Sequence, residues 1–130
     1  MRIKGFFRTE DNAPYVVATV AQRELYLGRD VRFLVDSGAS STVISDSDAI
    51  RLGLDYDRLQ RLPSGITGVG GTVETFVLPD VRLAFATEAG IYEEEMKRVY
   101  VLRHQVTDPI QMAKIERIPS LLGRNFLNKY

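Results

Sequence analysis

No cysteine occurs among the 130 residues, which removes disulfide staples, thiol nucleophiles and cysteine-ligated metal clusters together. Histidine is almost as scarce. His104 stands alone, so no histidine-rich metal site can be assembled, and neither metal nor cofactor is expected. Neither sign of charge prevails. Seventeen Lys plus Arg balance seventeen Asp plus Glu, and a formal net charge of zero supplies no summed field toward nucleic acid or an anionic membrane. No run approaches the ~18 apolar residues of a membrane span, and Arg8, Glu10 and Asp11 interrupt the N-terminal region before any apolar stretch develops. The expectation is a soluble, cytoplasmic protein with no nucleic-acid and no membrane partner.

What is present is the composition of an ordinary folded domain, 45% hydrophobic and 26% charged. A chain of this length buries roughly two-thirds of its unfolded surface and fits one compact domain over residues 1–130. Strand signals dominate it. Tyr15 to Val20 and Val31 to Val35 are rich in β-branched and aromatic residues. Val81, Leu83 and Phe85 alternate with smaller or charged residues, then Thr87-Glu88-Ala89-Gly90 turns the chain into a return strand through Val99 and Val101. A second hairpin, mobile and glycine-rich, is expected between Pro63 and Pro79. Helix signals are few. Ser45 with Asp48 three residues on starts a short helix over about Asp46 to Leu52, ended by Gly53. Thr107-Asp108-Pro109 suits another helix start, although Ile110 to Ile118 shows no clean period, and Arg124 begins a third after Gly123. The class is mainly β. Glu93-Glu94-Glu95 beside Lys97-Arg98 reads as a solvated strand end, and 103–119 as a surface insertion.

Chemistry concentrates in Phe33-Leu34-Val35-Asp36-Ser37-Gly38-Ala39-Ser40-Ser41-Thr42-Val43. An apolar strand delivers a carboxylate to its end, and Ser-Gly turns the chain sharply, so Asp36 is expected partly buried at a fixed angle. Taken alone, Asp-Ser-Gly reads first as an Asx turn, since turns favour these residue types. Two other segments accompany it: Ile66-Thr67-Gly68-Val69-Gly70-Gly71-Thr72-Val73 and Leu121-Leu122-Gly123-Arg124-Asn125-Phe126-Leu127.

In this order and rough separation, the three segments resemble the retropepsin-like aspartic proteases. Asp36-Ser37-Gly38-Ala39 is similar to the catalytic loop, Gly68, Val69, Gly70 and Gly71 to the flap tip, and Leu121 to Asn125 to the two hydrophobics, Gly, Arg and Asn that precede a C-terminal helix. The resemblance covers about Tyr15 to Tyr130. It implies a closed barrel of short strands with a flap hairpin and one or two short helices, acting as an aspartic endopeptidase on peptide or protein substrates. It also implies that Ser37 bonds across a dimer axis, that the Gly38 carbonyl meets the substrate backbone, that Val43, Val69 and Leu121 line apolar subsites, and that Gly123, Arg124 and Asn125 are structural.

Water-mediated peptide hydrolysis needs a base for the water and an acid for the carbonyl oxygen and then the amine. Two facing carboxylates sharing one proton serve both needs, because like charges a few ångströms apart resist double ionisation. Only one Asp-Ser-Gly exists; the other eight aspartates lack that context, so the second carboxylate has to come from an identical chain in a symmetric homodimer. Two departures qualify the resemblance. Ser40 and Ser41 stand where retroviral members carry an acid for the arginine, so Arg124 needs another acceptor. The chain also stops at Tyr130, where those members continue into an interface strand; a weak dimer, other surfaces or a longer protein are the alternatives. A non-catalytic module of the same fold, for peptide binding or dimerisation, is the competing reading.

Overall fold

A computed structural model describes residues 3–25, 27–63, 67–68 and 71–129. Nine strands follow in chain order: β1 (Gly5–Phe7), β2 (Pro14–Gln22), β3 (Leu27–Val35), β4 (Val43–Ile44), β5 (Gln60–Arg61), β6 (Thr67–Gly68), β7 (Gly71–Thr87), β8 (Gly90–His104) and β9 (Ser120–Leu122). Helices α1 (Asp46–Leu52), α2 (Pro109–Glu116) and α3 (Arg124–Leu127) and a 3-10 turn at Tyr56–Arg58 complete it. The sheet runs β1-β2-β3-β9-β4-β8-β7-β5, and an extra pairing of β2 with β7 closes β2, β3, β9, β4, β8 and β7 into a barrel of six strands. The mainly β class and the barrel match the sequence expectation. Two of its strands are nevertheless long, 17 residues in β7 and 15 in β8, where short strands throughout were expected.

Alternation explains the closure. In β2, Val16, Ala18 and Val20 are buried while Val17 faces out; in β3, Val31 and Phe33 are buried and Arg32 is exposed. The same period places Val81, Leu83 and Phe85 inside from β7 and Met96, Val99 and Val101 from β8. Leu122 and Phe126 plug the barrel beside the Phe85 ring, whose centroid lies 4.9 Å from that of Phe126. Each such large side chain contributes roughly 1.5–3 kcal/mol by leaving water.

The long hairpin changes partners halfway. Gln60 and Arg61 pair with Val77 and Phe76, whereas Thr19 to Ala21 pair with Ala84 to Arg82. Between these halves Pro79 is followed by Asp80 at φ 52°, a left-handed conformation that kinks the strand. Because β8 runs unbroken to His104, Glu93, Glu94 and Glu95 lie in mid-strand and not at a strand end; Glu94 is half-buried and receives Lys129 Nζ at 2.5 Å. Helix α1 has the bounds expected from its caps: the Asp48 N–H donates to Ser45 Oγ at 3.4 Å and Gly53 takes φ 72°. The reciprocal half of a capping box is absent, since the Ser45 N–H donates to Ser120 Oγ at 2.9 Å. Helix α2 forms from the Asp108 cap and Pro109 and buries none of its residues, which is why its sequence carries no period. No helix among the described residues is long and apolar enough to cross a membrane.

Candidate active site

Asp36 follows the last residue of β3, and its position is set by a strand from the far end of the chain. β3 runs parallel to β9, with Leu34 opposite Leu121 and Val35 opposite Leu122, and the Asp36 N–H extends the ladder by donating to the Leu122 carbonyl at 3.1 Å. The chain then turns. The Gly38 N–H donates to Asp36 Oδ1 at 2.9 Å and the Ala39 N–H to the Asp36 carbonyl at 3.2 Å, so one carboxylate oxygen is fixed by the loop's own backbone. Asp36 is half-buried, and Ser37 and Gly38 are exposed.

Residues 39–42 sit in a cage made by residues 123–125. The Arg124 N–H donates to the Ala39 carbonyl at 2.8 Å and the Asn125 N–H to the Ser40 carbonyl at 3.2 Å. Thr42, fully buried, donates its hydroxyl to Asn125 Oδ1 at 2.9 Å and accepts the Gly123 N–H at 3.2 Å. A Cβ on Gly123 would stand 2.4 Å from the Ser41 carbonyl oxygen and 2.5 Å from its carbon, so only glycine permits this approach. Gly123, Arg124 and Asn125 thus all hold the loop through backbone N–H groups, and Asn125 through its side chain as well. The Arg124 side chain is exposed and has no ion pair among the described residues, so the expected acceptor is not found there; Arg124 is tied to the loop through its backbone N–H on the Ala39 carbonyl.

A network at the base of the β6–β7 hairpin carries no motif in the sequence. Glu74, its side chain 4% exposed, accepts from Arg103 Nε and Nη2 at 3.1 Å and pairs with Arg61 Nε at 3.2 Å; Gln105 Nε2 also donates to it. These bonds, Gln105's first, hold its carboxyl below the ordinary glutamate range in spite of burial. The Arg103 guanidinium lies 4.8 Å from the centroid of Tyr56 and 5.1 Å from that of Phe76. Burial, with the Asp46 charge, pushes the Tyr56 phenol up to about 12, so it stays protonated and donates to the Leu102 carbonyl at 3.0 Å. The only signal in the sequence was a charge inside the apolar run Val73 to Leu78. His104 is likewise engaged, with Nδ1 2.8 Å from Asp46 Oδ1, and no metal-holding cluster occurs among the described residues.

Beside the loop lies a cavity of about 380 Å³ whose lining includes Gly38, Ala39, Val43, Leu62, Thr75 and Leu102. Val43 thus reaches it, whereas Leu121 pairs with Val43 across the β4–β9 ladder and does not line it. Above Thr75, β6 pairs with the start of β7 through Thr67 with Thr72 and Gly68 with Gly71. Val69 and Gly70 lie outside the described residues.

A family model for aspartyl proteases matches residues 24–126. Among solved structures, a retropepsin-like aspartic protease from Rickettsia conorii superimposes with a TM-score of 0.64 at 21% identity, covering 100% of this chain and 89% of that one. The EIAV protease complexed with the inhibitor HBY-793 superimposes with a TM-score of 0.53 at 20% identity, covering 94% of this chain and 91% of that one. No curated protein matches the sequence. The two superpositions establish a shared fold.

Proposed function

The chain belongs to the aspartyl protease family, and on that premise we propose that it is a homodimeric aspartic endopeptidase of retropepsin type, with residues 1–130 as one protease domain. The observation that carries this reading is the placement of Asp36: half-buried, pinned through its N–H to Leu122, oriented by Gly38, and two residues before the point where the loop begins to line a cavity. No other aspartate in the sequence is followed by Ser-Gly or Thr-Gly, so a dyad takes Asp36 from each of two identical chains.

The pair then holds one proton between two carboxylates. The ionised member removes a proton from water as its oxygen attacks the peptide carbonyl carbon, and the protonated member gives its proton to the carbonyl oxygen. Collapse of the tetrahedral diol breaks the C–N bond as a proton passes to the amine. Ser37 steadies the two loops across the axis, the Gly38 carbonyl receives the substrate backbone, and the hairpin through Gly68, Val69, Gly70 and Gly71 closes over the cleft and excludes water.

Peptide cleavage at acidic pH by wild type and Asp36→Asn tests the assignment. Loss of turnover with an unchanged fold is expected, and excess inactive variant should poison wild type by forming mixed dimers. Full activity in Asp36→Asn overturns the reading. A monomer at all concentrations in sedimentation, without hydrolysis, favours a non-catalytic peptide-binding module.

A further inference from the structure

Strand residues alternate between faces, and at the base of the β6–β7 hairpin this separates two tasks. One face of β7 carries Glu74 into its bonds with Arg61 and Arg103. The other carries Thr75 between Leu62, whose N–H donates to the Thr75 carbonyl at 2.8 Å, and Leu102, its cross-strand partner. All three line the cavity that begins at Gly38 and Ala39, two and three residues beyond Asp36. Thr75 is 2% exposed, and its hydroxyl has no hydrogen-bond partner among the described residues, the only buried side-chain polar atom of which this is true among them. An unpartnered buried hydroxyl disfavours folding, and valine has the same shape without that cost. The fold therefore gives no reason for the hydroxyl, while Thr75 borders a cavity whose walls are apolar at Ala39, Val43, Leu62 and Leu102, with Ser40, Ser41 and Tyr100 also lining it.

We propose that Thr75 is a specificity-determining residue: the cavity takes a substrate side chain with a short apolar stem and a hydrogen-bonding tip, as in threonine or asparagine, in preference to valine or leucine. This rests on the proteolytic reading of the same cleft and replaces the purely apolar subsite expected at Val43. A site that leaves its own polar group unpaired against the all-carbon isostere discriminates against it.

The test is digestion of a proteome-derived peptide library by the full chain as wild type, Thr75→Val and Thr75→Ser, with mass spectrometry ranking residues at each position around the cut. Wild type should favour Thr or Asn over Val or Leu at one position by about tenfold. Thr75→Val should level or invert that preference and Thr75→Ser should keep it. Thr75→Val should also melt as high as wild type or about 3 °C higher, because it removes an unpartnered group. Cleavage without a polar preference, a preference that survives Thr75→Val, or a lower melting point for that variant overturns the proposal. Absence of any cleavage by wild type is a different result, the failure of the protease assignment itself.

Discussion

Two supports flank the cleft and are built from opposite materials. The loop bearing Asp36 is held almost wholly by neutral groups: backbone N–H and carbonyl pairs from residues 122–125, one threonine hydroxyl and one asparagine amide. The base of the β6–β7 hairpin is held by charge, a buried glutamate among two arginines. Neutral hydrogen bonds keep their geometry as pH changes, whereas a carboxylate loses its ion pairs once protonated. The proposed dyad, with its one shared proton, calls for a supporting loop indifferent to acid, and this chain places its titratable cluster elsewhere, at Glu74.

The sharpest way to break the comparison is Gly123→Ala. Its methyl would enter the Ser41 peptide at 2.4 Å, backbone against backbone, and neither side can yield without dismantling the cage. Loss of about 3 kcal/mol or more, or failure to fold, is expected in urea unfolding. Next comes Thr42→Val, which keeps the shape but strips a partner from both the Gly123 N–H and Asn125 Oδ1. About 2 kcal/mol should be lost, by the same amount at neutral and acidic pH.

Glu74→Gln should give the smallest change and the most informative one, because its size should depend on pH. The folded-state pKa of Glu74 is lowered, so its contribution is fully present above the ordinary glutamate value of about 4.3 and disappears as pH falls through the depressed folded value. Wild type should exceed the variant in urea midpoint at neutral pH, and the two should converge in acid. A pH-independent difference would mean that packing around Glu74, and not its charge, supports the base of the hairpin.

The reach of the sequence differs between these supports. Asp36-Ser37-Gly38, the caps of α1 and the Thr87–Gly90 turn were legible because each depends on neighbours within a few residues. The pairing of β3 with β9 joins residues more than eighty apart, and nothing in Ser120-Leu121-Leu122 announces its partner. Strand β1 escaped for a similar reason: Phe6 and Phe7 are exposed, so Gly5 to Phe7 shows no buried alternation. Leu121 pairs with Val43 across β4 and β9 without lining the cavity that Val43 reaches, a placement that strand register decides and hydrophobicity alone does not announce.

By itself, then, the amino-acid order determined the class, the turn that exposes one aspartate, and the family, because those follow from local backbone preference and from motifs in a fixed succession. Only the closed barrel decided what surrounds that aspartate: the glycine that must be bare against Ser41, the charged cluster at Glu74, and a hydroxyl at Thr75 without a partner among the described residues. Each of these is a contact between segments far apart in the chain, fixed when strands choose their partners and register, and no short window of sequence contains that choice.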